Sequence, residues 1–172
     1  AEALDILVLD RRASDDALRK AGASVGKGLI GKDLLLLPGT LRDTADLVEA
    51  MVLRAYDYTA QKTAEAKQPG TITVQASDPD ALRAAVAPRL SVAEGVFFTR
   101  DLVSAPANVL TTTEFARQLK DMEALGLKVE VLEEDALASL GMGALLAVGQ
   151  GSDSPSKVVV MEWQGGGDEA PL

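Results

Sequence analysis

Short apolar runs alternate with capped helical patterns along the whole chain, and this alternation restricts the fold more than any other feature. Residues 4–9 (LDILVL), 33–37 (DLLLL), 71–75 (TITVQ), 127–132 (LKVEVL), 144–148 (ALLAV) and 157–163 (KVVVMEW) read as strands. They are short, and they are either continuously apolar or strictly alternating. Helix signals lie between them. Ser14 can cap a helix over residues 14–20, with Asp15 and Asp16 suited to its first turn. Thr40-Leu41-Arg42-Asp43 has the form of a capping box, with Asp in place of Glu. After it, Leu41, Ala45, Val48, Val52 and Ala55 recur at helical spacing.

Ser77-Asp78-Pro79-Asp80 starts a third helix, with proline at its first position. Pro88 is expected to interrupt it, because proline removes a hydrogen bond and clashes with the preceding turn. Ser91-Val92-Ala93-Glu94, a second capping box, would then open a fresh helix that ends before Pro106. Thr111-Thr112-Thr113-Glu114 starts another helix, which Gly126 ends. Residues 133–140 form a short helix closed by Gly141. Residues 22–31 are helix or loop, residues 61–70 a loop, and residues 164–172 (QGGGDEAPL) a polar turn or linker. The alternation predicts an α/β architecture with mixed, largely parallel sheets flanked by helices.

Composition narrows the chemistry. Hydrophobic residues make up 47% of the 172, enough for a packed core, and aromatics only 3%, so that core is aliphatic. The net charge of −9 and the lack of any Lys/Arg run disfavour nucleic acid and anionic membranes as partners. No apolar run approaches membrane-spanning length, and no secretory leader is recognisable. The opening Ala1-Glu2-Ala3-Leu4 suggests a cytoplasmic protein trimmed at its N-terminus. There is no cysteine and no histidine. Disulfides, thiolate or imidazole zinc sites, and Ser-His or Cys-His nucleophilic pairs are therefore excluded within this chain.

Four constellations remain as candidates. Gly26, Gly28 and Gly31 match the three-glycine dinucleotide pattern, but a helix precedes them and a strand follows, the reverse of what pyrophosphate binding needs. Close packing of a helix on the sheet explains such small residues better. Glu133-Glu134-Asp135 and Asp168-Glu169 are possible metal carboxylates, but consecutive residues rarely converge on one ion. Asp43-Thr44-Ala45 would need a second copy for paired-aspartate chemistry, and none exists. Ser104 and Thr111, Thr112 or Thr113 would need a lysine base, with Lys120 the nearest in sequence. Helix caps account for the threonines.

The stretch VAEGVFFTRDLVSAPANVLTTTEFA, from Val92, is more specific. Asp101-Leu102-Val103, Pro106, Asn108, Leu110 and Thr111 stand in the order found where the catalytic domain of the leucine (cytosol) aminopeptidase family opens. Leu140-Gly141-Met142-Gly143 and Ala147-Val148-Gly149-Gln150-Gly151-Ser152 resemble the next family segment. Tyr56-Asp57-Tyr58 with Lys62-Thr63 resembles the family's N-terminal domain more weakly. Ser104 departs from the family's usual asparagine.

The resemblance implies three parts. Residues 1–88 are a partial N-terminal α/β domain, 89–104 a connecting helix, and 105–172 the incomplete start of the catalytic domain. It also implies a parent metallo-aminopeptidase that uses two divalent ions, manganese or zinc, to hydrolyse N-terminal residues from peptides. A cytoplasmic hexamer is implied as well. In the family, the Gly-Lys-Gly segment and the carboxylates that hold the metals follow the matching stretch. No catalytic, metal-ligating or cofactor-binding residue is therefore assigned here, and no cofactor is expected in this chain. The rival readings are a non-catalytic module such as an inactive paralogue, a DNA-binding regulator, and a nucleotide-binding domain built on Gly26, Gly28 and Gly31.

Overall fold

The computed structural model describes residues 3–65 and 67–167. The chain forms two compact units, Ala1–Ser104 and Ala105–Leu172. Asp168-Glu169, weighed above as metal carboxylates, lie outside the described residues.

The first unit is built on three helices and one small sheet. Helix α1 (Asp15–Gly26) begins where Ser14 accepts a hydrogen bond from the Ala17 amide, 3.3 Å. Asp15 and Asp16 in the first turn complement the positive end of its dipole. Helix α2 (Thr44–Arg54) crosses α1 at very close range. Leu18, Gly22 and Gly26 recur every fourth residue on α1 and form its buried face. A methyl on Gly22 would stand 2.5 Å from the Leu47 carbonyl oxygen, and one on Gly26 2.5 Å from that of Met51. The small residues thus serve the approach of α1 to another helix, where the sequence suggested approach to the sheet. The core gathers Leu18, Leu29, Leu47, Met51 and Ala55, with Leu34, Leu36 and Ile72 packed against it.

The expected capping box at the start of α2 does not form. Asp43 occupies the left-handed region with φ 55° and makes no side-chain cap. The Thr44 hydroxyl turns back instead and donates to the Leu41 carbonyl, 3.3 Å. Strands β1 (Leu34–Leu36) and β2 (Ile72–Val74) pair in parallel, Leu35 opposite Thr73. Residues 4–9, expected as a buried strand, have no strand partner among the described residues. Leu4, Ile6 and Val8 are 84%, 80% and 94% exposed. An apolar run becomes a strand only where a partner satisfies its amides, and none does so among the described residues.

Helix α3 (Pro79–Ser104) is a second departure. Asp78 caps it by accepting from the Ala81 amide at 3.0 Å, with Pro79 leading as anticipated. It then runs unbroken through Pro88. Arg89 braces the turn from both directions: Nη1 donates to the Ala85 carbonyl at 2.9 Å, and Nε and Nη2 grip Asp46 of α2. Ser91 therefore sits inside the helix, its hydroxyl donating to the Ala87 carbonyl, and caps nothing.

In the second unit, helix α4 (Thr112–Asp121) is capped by Thr111, whose Oγ1 accepts from the Glu114 amide at 3.2 Å. A 3-10 turn, Met122–Leu125, ends at Gly126 with φ 94°. Strands β3 (Lys128–Leu132) and β4 (Val158–Glu162) form an antiparallel ladder, Glu130 opposite Val160. The two ladders are thus one parallel and one antiparallel, within a mixed α/β fold of small sheets flanked by helices. Helix α5 (Glu134–Ser139) closes at Gly141, and helix α6 (Gly143–Gly149) follows. Residues 144–148 were expected to be a strand, and they are this helix. Alanine and leucine favour the helical state, and a run this short gives no periodicity to decide the matter. No helix among the described residues is long and apolar enough to cross a membrane.

Candidate functional site

Several side-chain ties of the second unit meet at the loop that follows α6. Gly149 packs against Ser156 so closely that a Cβ there would meet the Ser156 hydroxyl at 1.9 Å. Glycine is the residue that fits, which accounts for its place in the Ala147-Val148-Gly149-Gln150-Gly151-Ser152 segment. Three ties then fix the loop. The Thr112 hydroxyl donates to the Pro155 carbonyl at 2.8 Å. The Ser156 amide donates to Glu134 Oε1 at 2.8 Å. The Lys157 ammonium, only 10% exposed, pairs with Glu133. A concave surface of about 660 Å³ opens beside this loop, lined in part by Glu134, Asp135, Gln150 and Asp153.

These ties decide the fate of Glu133-Glu134-Asp135. Glu133 turns to Lys157 and Glu134 to the Ser156 amide, so the carboxylates diverge as consecutive residues should. Among the described residues no group of three or more Asp, Glu, His or Cys is placed to hold a metal ion. The described side chains do not fit a divalent metal.

The hydroxyl candidates resolve the same way. Thr111 caps α4 and Thr112 holds the loop. Lys120 donates to Glu123 Oε1 at 2.9 Å and to the Val129 carbonyl at 2.6 Å, which ties α4 to β3. The Lys120 hydrogen bond is also the main reason the Glu123 carboxyl sits below its ordinary range. On α4 itself, Arg117 forks onto Glu114 at 2.7 and 2.8 Å and also reaches Asp121. That guanidinium, with the Gln118 amide, holds the Glu114 carboxyl down at about 2.

Gly26 ends α1, so Gly26, Gly28 and Gly31 lie at the C-terminal, negative end of a helix. A pyrophosphate needs the opposite end. Asp43 and Thr44 are occupied at the start of α2, as described above.

In the first unit, two segments singled out separately in the sequence meet. The Tyr56 hydroxyl donates to Asp101 Oδ1 at 2.7 Å. Burial, then that hydrogen bond, raises the phenol pKa above its ordinary value. The ring stacks on Phe97 at 5.3 Å, and the Arg100 guanidinium lies over it at 5.4 Å. Lys62 pairs with Asp57 at 2.7 Å. Sequence spacing gave no sign of this cluster, because its partners lie about 45 residues apart. In the second unit, residues 106–110 form a turn in which the Val109 and Leu110 amides both donate to the Pro106 carbonyl.

The catalytic domain of the cytosol aminopeptidase family matches residues 97–172. A probable cytosol aminopeptidase of Dinoroseobacter shibae is 55% identical over 97% of this chain and 34% of its own length. The chain belongs to the cytosol aminopeptidase family. A second relative, from Cereibacter sphaeroides, bears the same description and is 47% identical over 100% of this chain and 35% of its own length. Among solved structures, the bottromycin maturation enzyme BotP in complex with Mn superposes with a TM-score of 0.73 at 28% identity, covering 87% of this chain and 33% of that one. The chain therefore spans about a third of the length of the curated relatives it matches. The family match takes in the turn at 106–110, helices α4 and α5, and the Gly149 loop.

Proposed function

We propose that this chain is the structural third of a peptide-cleaving aminopeptidase, one that removes N-terminal residues, leucine among them, with the help of two divalent ions. The observation that carries this reading is the family match over residues 97–172, continued by high identity to aminopeptidases over the rest of the chain. Manganese is supported by the structure of BotP in complex with Mn, and zinc is the alternative. Among the described residues no group is placed to hold these ions, and on this reading the rest of the parent enzyme supplies their ligands. A hexameric, cytoplasmic assembly belongs to the same proposal.

Within that enzyme the chain's role is positional. The second unit pins the Gly149 loop between the starts of α4 and α5, and the helices of the first unit are braced by Arg89 and Arg100. Incubation of the chain with manganese and leucyl p-nitroanilide tests the division of labour. The expected result is no manganese-dependent release of leucine and no saturable manganese binding by calorimetry. Turnover by the 172-residue chain would overturn it.

A further inference from the structure

One cleft of the first unit is used by nothing described so far. It opens where α1, α2 and α3 meet and has a volume of about 300 Å³, the low end of the range for small-molecule pockets. Each helix contributes an arginine: Arg19 from α1, Arg54 from α2 and Arg100 from α3. Among the described residues none of the three has an ion-pair partner. The lining also holds Asp46 and Glu49, but these are already engaged. Arg89 grips both oxygens of Asp46 and stands 3.8 Å from Glu49. Arg100 is pre-set for a ligand: Nη1 donates to the Leu53 carbonyl at 2.7 Å and the guanidinium rests on Tyr56, so little side-chain freedom is left to lose.

We propose that this cleft binds a small phosphate-class anion carrying at least two negative charges. Three arginines lining one cleft from three helices can offer paired N–H donors to a tetrahedral oxyanion, a geometry that lysines do not reproduce. The chain as a whole repels anions at −9, so binding here would have to come from the local arginines and not from net charge. The ligand is small because the cleft is; a nucleic-acid backbone would need a basic track, and the sequence has none.

The test is titration of the full chain with sodium pyrophosphate, followed by calorimetry and thermal unfolding, against sodium chloride at matched ionic strength. Saturable one-to-one binding and a raised unfolding midpoint are expected. The doubly substituted Arg19→Gln/Arg54→Gln protein should bind at least tenfold more weakly. Both side chains are exposed, so its circular dichroism and ligand-free midpoint should stay as they were. Arg12→Gln/Lys32→Gln removes the same charge from exposed positions outside the cleft and should bind as the parent does. The proposal is overturned if pyrophosphate acts no differently from chloride, or if both double variants bind alike. Tight binding of duplex DNA that pyrophosphate fails to displace would overturn it too.

Discussion

Gly22 and Gly26 let two helix backbones approach at a distance no side chain permits. In place of Gly22, alanine would set its methyl 2.5 Å from a carbonyl oxygen and 2.7 Å from the Ala50 Cβ, so α1 must shift. Gly22→Ala should therefore destabilise the protein by roughly 1–3 kcal/mol, the usual cost of overpacking, despite alanine's better helix propensity. Urea unfolding measures this; a gain in stability would show that α1 and α2 are not in contact there. Arg117 and Glu114 make a second residue-scale prediction. The folded-state pKa of Glu114 is lowered from 4.5 to about 2. A depressed carboxylate contributes stability above its unfolded pKa and loses it as pH falls toward the folded value. The contribution is thus full above about pH 4.5 and fades toward pH 2. Arg117→Gln should move the Glu114 carboxyl titration, followed by NMR, back up toward 4.5, with Gln118 holding part of the shift. A titration that stays near 2 in the variant would remove Arg117 as the cause. Single residues that act on their own neighbours were readable in advance: Ser14 as a cap, the helix starts at Ser77–Asp80 and Thr111–Glu114, Gly126 and Gly141 as stops. Asp43 was not: its backbone is left-handed and its side chain caps nothing, which the Thr40–Asp43 pattern does not report.

At the scale of elements, strands with alternating or β-branched patterns were legible, and so was every helix with a clear start. The errors share one cause. Residues 4–9, residues 144–148 and the turn at Pro88 depend on what lies beside them, which no local pattern reports. Pro88 stays helical because Arg89 and Asp46 hold α3 on α2 around it. The proline still lacks its donor, so Pro88→Ala should raise the thermal midpoint, by at most the ~3 kcal/mol that an interior proline costs a helix. A lowered midpoint would mean that the fixed backbone of Pro88 is itself required. The diverging carboxylates of Glu133-Glu134-Asp135 could be foreseen from their adjacency. Their partners, Lys157 and the Ser156 amide, could not, since both arrive from more than 20 residues downstream.

At the scale of the whole molecule, the described residues carry two small sheets of two strands each, and isolated ladders of that size are marginal in water. Leu4, Ile6 and Val8 in the first unit, and Val160, Met161 and Trp163 in the second, are exposed aliphatic or aromatic surface. The chain on its own should therefore associate with rising concentration and bind a hydrophobic dye. Sedimentation that shows a monodisperse monomer with one cooperative unfolding transition would contradict this. The same surface suits a piece that completes a larger body, and the most direct measurement follows from that. This chain is exchanged for the matching third of the Dinoroseobacter shibae relative, and manganese-dependent leucine release is compared with that of the unaltered relative. If the chain is an aminopeptidase's structural third, the folded chimera retains activity within about tenfold, a difference of roughly 1.4 kcal/mol in the barrier. A chimera that folds and assembles like the relative yet releases no leucine would contradict the account.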